Sequence, residues 1–280
     1  MPTGTVDGVI DRALAEDIGA GDVTTEALVA ADAQAIAEVV VKAPGVVCGL
    51  EQLLACVRAL DPDAAMETLA ADGDEVTDPP RIVAELRGSA RALLTAERTA
   101  LNIVQRMSGI ATATRTYRQA VDGLPVEILD TRKTVPGLRA LDKQAVACGG
   151  GTNHRRGLDD AVLIKDNHLA LAAGIGPAVA VARAAHPTLR VQVEVDSLDQ
   201  LDEALTAGAD AILLDNMPPS AMRAAVTRTR GRARLEASGG ITLETVRAVA
   251  ETGVDAISVG ALTHSVRALD ISLEVRPWRP

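Results

Sequence analysis

Residues 191–215 hold two short apolar runs, Val191-Gln-Val-Glu194 and Ala211-Ile-Leu-Leu-Asp215, on either side of a stretch with helical spacing. Each run is strand-length and ends in an acid. Between them, Ser197-Leu-Asp-Gln200 reads as a capping box, in which the Ser hydroxyl and the Gln side chain satisfy each other's free amides. Leu198, Leu201, Ala204 and Leu205 fall on one helical face, and Gly208 stops the helix. This is one βαβ unit. Four more runs share the pattern: Val126-Glu-Ile-Leu-Asp130, Ala161-Val-Leu-Ile-Lys165, Leu235-Glu-Ala-Ser238 and Ala256-Ile-Ser-Val-Gly260. Mostly apolar strands separated by helices predict a parallel sheet covered on both faces, open or closed into a barrel. Six clear strands fall short of the eight of a full barrel. Thr242 and Gly253 bracket a further helix.

The first hundred residues lack this pattern. They predict a helix near 5–17, the polar turn Glu16–Asp22, strands around 35–42 and 82–94, a helix near 50–60, and a loop from Asp72 to Pro80. Thr95 is placed to cap a long helix reaching about Ala120. At 280 residues and 48% hydrophobic, the chain can build a large core, almost wholly from Ala, Val, Leu and Ile. With no Phe, one Tyr and one Trp, a planar ligand is gripped by charge rather than by an aromatic sandwich. Three cysteines without metal spacing and the absence of a signal peptide point to a reducing, cytoplasmic setting. No apolar run approaches the ~18 residues of a membrane span.

Net charge is −10, with no basic stripe of the kind nucleic acid requires. Between Arg132 and His168 the balance reverses. Arg132, Lys133, Arg139, Lys143, Arg155, Arg156 and Lys165 outnumber Asp142, Asp159, Asp160 and Asp166, which suits a small anionic ligand. Arg139 and Lys143 read better as solvated helix charges. Thr131-Arg-Lys133 and Lys165 follow strand ends, and Asn153-His-Arg-Arg156 follows three glycines. These cations offer both forked and point-charge grips on carboxylate or phosphate. A surface salt-bridge role is the alternative. The turns Ser238-Gly-Gly240 and Gly260-Ala-Leu-Thr-His264 follow the last two runs, where α/β barrels commonly bind phosphate. Glu194 and Asp215 close the third and fourth runs. They suit Mg²⁺, ribose hydroxyls, stabilisation of positive charge on a sugar carbon, or pairing with Lys133 and Lys165.

Taken in order, nine stretches resemble the quinolinate phosphoribosyltransferase family: Glu16–Thr25, Glu97–Asn102, Ser108–Thr112, Asp130–Arg139, Asn153–Leu158, Ile164–His168, Leu214–Asn216, Ala237–Gly240 and Ser258–Ser265. The tail Arg276–Pro280 matches nothing in the pattern. The resemblance implies an incomplete, seven-strand-type α/β barrel over 109–269. It also implies an N-terminal open α/β sandwich over 1–108, joined by 270–280. It implies transfer of the phosphoribosyl group of phosphoribosyl pyrophosphate to quinolinate with Mg²⁺, giving nicotinate mononucleotide, pyrophosphate and CO₂. Arg132, His154, Arg155 and Lys165, with Thr131, then bind quinolinate, and Arg98 reaches it from the partner of a homodimer. Lys133, Glu194 and Asp215 engage phosphoribosyl pyrophosphate. Ser238, Gly239 and Gly240, then Val259, Gly260 and Ala261 with His264, cradle its 5′-phosphate. Alternatives are a nicotinate or molybdenum-operon homologue of the family, a Schiff-base barrel aldolase using Lys133 or Lys165, and a phosphate-metabolite sensor.

Overall fold

The computed structural model describes residues 6–278. In chain order the elements are α1 (Val6–Ile18), α2 (Val23–Leu28), β1 (Gln34–Val41), β2 (Gly45–Val46), α3 (Leu50–Arg58), β3 (Ala65–Thr68), β4 (Glu75–Val76), β5 (Arg81–Ser89) and α4 (Ala90–Ala120). These are followed by β6 (Glu127–Leu129), α5 (Arg139–Cys148), β7 (Val162–Ile164), α6 (Asp166–Leu169), α7 (Ile175–Ala185), β8 (Val191–Val195), α8 (Leu198–Thr206) and β9 (Ala211–Asp215). The last are α9 (Pro219–Thr229), β10 (Arg234–Ser238), α10 (Val246–Ala250), β11 (Ala256–Ser258), α11 (Ala261–His264) and β12 (Ile271–Pro277). The chain forms two compact units. One takes residues up to Arg115 with Thr134–Gly150 and the stretch from Leu262; the other takes Thr116–Lys133 and Gly151–Ala261.

The first unit is built on an antiparallel sheet of order β12-β1-β5-β3. Ala35, Ala37, Val39 and Val41 alternate along β1 and are all buried, as a two-residue period demands. Leu50, Leu53, Cys56 and Val57 form the buried stripe of α3. The carboxylate of Asp72 caps this helix from outside, accepting from Gly49 N at 2.9 Å and Leu50 N at 3.2 Å. The tail finds its place here: β12 pairs along β1 from Val41↔Ile271 to Ala35↔Pro277, while Arg279 and Pro280 lie outside the described residues.

Several expectations for this unit shift. The polar turn ends in a short helix, α2, which Asp22 caps by accepting from Thr25 N at 3.0 Å. The long helix begins at Ala90, so Thr95 lies inside it and donates its hydroxyl to Asp22 at 3.0 Å instead of capping. β5 accordingly ends at Ser89, short of 94. Lys143 is 1% exposed, and Arg139, half-buried, donates Nε to Thr134 Oγ1; neither is a solvated helix charge. Next to Lys143, the fully buried Asp142 takes a two-pronged contact from Arg106, at 2.9 and 2.8 Å.

In the second unit all six apolar runs are strands. They form a parallel six-stranded sheet of order β6-β11-β10-β9-β8-β7. The first and last strands of this sheet, β6 and β11, are therefore neighbours, the cyclic order of a barrel. Thr152 adds an isolated parallel bridge to Leu129 on the free side of β6, a strand reduced to one residue in the seventh position. The register fixes what meets at the carboxyl ends. Ile164 faces Val193, so Lys165 arrives beside Glu194; Asp215 faces Ser238 directly. The α8 cap differs in one detail from the sequence reading. Ser197 Oγ accepts from Gln200 N, but the Gln200 side chain takes the amide of Asp196.

Candidate active site

The carboxyl ends of these strands surround one cavity of about 500 Å³. Thr131, Arg132, Lys133, His154, Arg155, Lys165, Glu194, Asp215, Ser238, Gly239 and Gly240 all line it. Ligands of parallel α/β sheets bind at this end. Four cations face three carboxylates there, Glu194, Asp215 and Glu236. The excess of positive charge is local to a protein that is negative overall.

Each charged group is held by its strand end. Lys165 Nζ donates to Glu194 Oε2 at 2.8 Å, so the pairing alternative holds for this acid. Asp215 accepts from Asn216 Nδ2 at 2.8 Å, and Asn216 takes a left-handed backbone (φ +52°). That turn brings Asn216 N to Ser238 O at 2.9 Å, against Gly239. Gly239 (φ +97°) could not carry a side chain: a Cβ there would strike the Asn216 amide. The two turns after β9 and β10 thus interlock at the cavity rim.

The Asn153–Arg156 segment is tied inward. His154 N donates to the buried Asp130 at 2.8 Å. Arg155 Nη1 reaches Ala161 O at 3.2 Å, and Asp160 accepts from Arg156 N and Gly157 N. Burial pushes the Arg155 guanidinium down from its ordinary value, and the charge of Arg132 adds to the effect. A half-buried guanidinium beside a second one favours an anion that joins them.

The other expected residues are placed as follows. Val259, Gly260 and Ala261 follow β11 but do not line this cavity, and the Val259 N–H is taken by Leu129 O at 2.9 Å. His264 belongs to the first unit, where its Nδ1 lies 2.7 Å from Ser265 Oγ. Arg98 is also in the first unit, exposed on α4 with Nη2 4.0 Å from Glu97.

Three polar lining residues had no role in the sequence reading: Asn216, Glu236 and Ser258. For Glu236 a signal existed, an acid in the middle of the apolar run Leu235-Glu-Ala. Burial alone would raise this carboxyl. Hydrogen bonds from His154, Ser258 and Gln192 outweigh it and hold the group below the ordinary range.

A barrel-order parallel sheet with a cation-lined cavity at its carboxyl edge, in a chain that also carries an antiparallel α/β unit, defines an α/β-barrel-type enzyme that takes small anions. The comparisons narrow this class. Residues 22–108 match the model of the quinolinate phosphoribosyl transferase N-terminal domain, and residues 110–274 that of the C-terminal domain. The chain is 47% identical over 279 residues to the nicotinate-nucleotide pyrophosphorylase [carboxylating] of Mycobacterium leprae, covering 95% of each. It is 45% identical over 261 residues to a probable nicotinate-nucleotide pyrophosphorylase [carboxylating] of Bacillus subtilis, covering 93% of this chain and 90% of that one. The solved nicotinate-nucleotide pyrophosphorylase of Francisella tularensis superposes with a TM-score of 0.93 at 40% identity, over 99% of this chain and 98% of that one. The chain belongs to the quinolinate phosphoribosyltransferase family.

Proposed function

We propose that this protein transfers the phosphoribosyl group of phosphoribosyl pyrophosphate to quinolinate and releases CO₂, forming nicotinate mononucleotide and pyrophosphate for NAD synthesis. The observation that carries this is the convergence of Arg132, Lys133, Arg155 and Lys165 with Glu194 and Asp215 around one cavity. Quinolinate is a dianion, and two ring carboxylates call for more cations than the single carboxylate of nicotinate.

Arg132, Arg155 and Lys165 hold the carboxylates, Arg as a planar fork and Lys as a point charge. Lys133 faces the pyrophosphate. As the bond to the leaving group lengthens, positive charge grows on the anomeric carbon, and Glu194 and Asp215 stabilise it as fixed carboxylates. Ser238, Gly239 and Gly240 cradle the 5′-phosphate at a turn where backbone can approach closely. Transfer leaves the ring nitrogen positive. The bond from the adjacent ring carbon to its carboxylate then breaks to release CO₂. The electron pair left on that carbon is stabilised by the neighbouring positive charge, and a proton from solvent takes the carboxylate's place.

The donor set fits Mg²⁺. Of the three carboxylates that line the cavity, Glu236 is enclosed by protein donors, which leaves Glu194 and Asp215; Mg²⁺ is commonly held by one or two carboxylates with the rest of its shell from substrate phosphates and water. Glu194 and Asp215 would hold it, directly or through substrate, and the ion would supply neutralisation of the pyrophosphate charge. The working form is a cytoplasmic homodimer in which Arg98 of one subunit reaches the quinolinate of the other. Among the described residues no helix is long and apolar enough to cross a membrane.

Turnover of quinolinate and nicotinate, compared with phosphoribosyl pyrophosphate and Mg²⁺ present, tests the reading. Quinolinate is the expected substrate. Preference for nicotinate would assign the chain to a sister activity.

A further inference from the structure

Glu236 is an acceptor enclosed by donors. It is 2% exposed in the middle of β10. Ser258 Oγ–H donates to its Oε1, Gln192 Nε2 donates to Oε2 at 2.8 Å, and His154 Nε2 lies 3.3 Å from the same oxygen. The donors come from β11, β8 and the segment after Thr152. The other ring nitrogen of His154, Nδ1, accepts the backbone N–H of Arg155 at 2.7 Å. A ring whose Nδ1 accepts and whose Nε2 faces a carboxylate is the Nε2–H tautomer, assigned from this network. Both ring nitrogens are therefore engaged by the protein. Behind the site lies a second cavity, of about 330 Å³, which shares only His154, Arg155 and Glu236 with the first. These three residues form the wall between the two spaces, and Arg132, Lys165 and Glu194 stand on the front side alone.

We propose that Glu236 is a positioning residue for the dianionic substrate: through the Nε2–H of His154 it fixes the His154–Arg155 peptide, so that the Arg155 guanidinium is presented beside Arg132, while His154 itself makes no hydrogen bond to substrate. This rests on the functional reading above. A rigid imidazole between a buried carboxylate and a backbone amide transmits position; it has no ring nitrogen left to donate to a ring carboxylate. Replacing Glu236 by Gln tests the link with little change of volume. It removes the charge: an NH₂ in the Oε2 place meets two donors, Gln192 Nε2 and His154 Nε2–H, whereas in the Oε1 place the Ser258 hydroxyl turns to accept it. In both cases the Nε2–H of His154 loses its charged acceptor, and the peptide is held less firmly.

The experiment uses the full chain and four forms: wild type, Glu236→Gln, His154→Asn and the double variant. Imidazole ¹⁵N shifts distinguish the tautomers of the four histidines, and the His154→Asn spectrum assigns residue 154. Wild type is expected to show His154 as Nε2–H, unchanged when quinolinate saturates the site. Glu236→Gln is expected to raise KM for quinolinate roughly tenfold or more, the usual loss when a supporting contact is removed. KM for phosphoribosyl pyrophosphate should stay within about twofold. The double variant should be no worse than the worse single variant, because both cut one link. Proton uptake at His154 Nδ1 on quinolinate binding would overturn the proposal and make His154 a direct ligand. Additive losses, or equal changes in both KM values, would overturn it too. The tautomer and its response to quinolinate are read on wild type, so they decide the matter even where a variant does not fold. Wild-type turnover decides separately whether the functional reading holds.

Discussion

At Glu194 two duties meet. Its carboxylate holds Lys165 Nζ at 2.8 Å, and it faces the cavity where a sugar carbon would become positive. Arg132 and Arg155 have a simpler duty in the proposed reaction, binding the incoming dianion. The two kinds of residue should separate in kinetics. Arg132→Ala and Arg155→Ala are expected to raise KM for quinolinate by at least tenfold, the ~1.5–3 kcal/mol of a hydrogen bond to a charged group. Glu194→Ala is expected to lower kcat by about 10²–10³, as loss of a preorganised electrostatic group does. Steady-state kinetics reads both, and equal, small effects in all three variants would favour a surface salt-bridge role. At this scale the strand-end residues were legible in the sequence, because a charged group closing an apolar run announces itself. Asn216 and Ser258 were not, and Glu236 showed only as an acid inside an apolar run, with nothing to give its role. The role of Asn216 depends on a left-handed turn packed against Gly239, and that of Glu236 on three partners distant in sequence.

Among elements, the Arg106–Asp142 pair joins α4 to α5 in the first unit, with Asp142 fully buried. Removing one partner of a buried pair leaves an uncompensated charge. Asp142→Ala should therefore cost about 3–5 kcal/mol in denaturant unfolding, and a loss under ~1 kcal/mol, the size of an exposed pair, would contradict this account. Glu236 gives a second test, in acid. Its folded carboxyl lies below the ordinary 4.5, so its ionised form stabilises the fold above about that pH. That stability is lost as pH falls through the lower folded value. The acid limb of a stability–pH curve should flatten in Glu236→Gln; an unchanged limb would show the carboxyl to be unperturbed. All six strands of the parallel sheet were visible as apolar runs, since burial on both faces leaves little room for polar residues. The short pieces were not. α2 rests on the Asp22 cap, and the two-residue strands β2 and β4 exist only by pairing with each other. The start of α4 was displaced because Thr95, a good cap by type, is consumed by Asp22, and the helix extends a turn and more ahead of it.

For the whole molecule, the proposed dimer with its shared site makes a prediction that no single subunit can mimic. Arg98→Ala subunits and Arg132→Ala subunits are each expected to be poorly active. Mixed and reassociated at equal amounts, they should regain about one quarter of wild-type activity, because half the dimers are mixed and each mixed dimer holds one intact site. No recovery would place Arg98 in its own subunit's site or outside any site. The most direct test of the central claim is the product balance with quinolinate, phosphoribosyl pyrophosphate and Mg²⁺. The account predicts pyrophosphate, CO₂ and nicotinate mononucleotide in equal amounts. Pyrophosphate released while both ring carboxylates are retained, or no reaction with quinolinate, would contradict it.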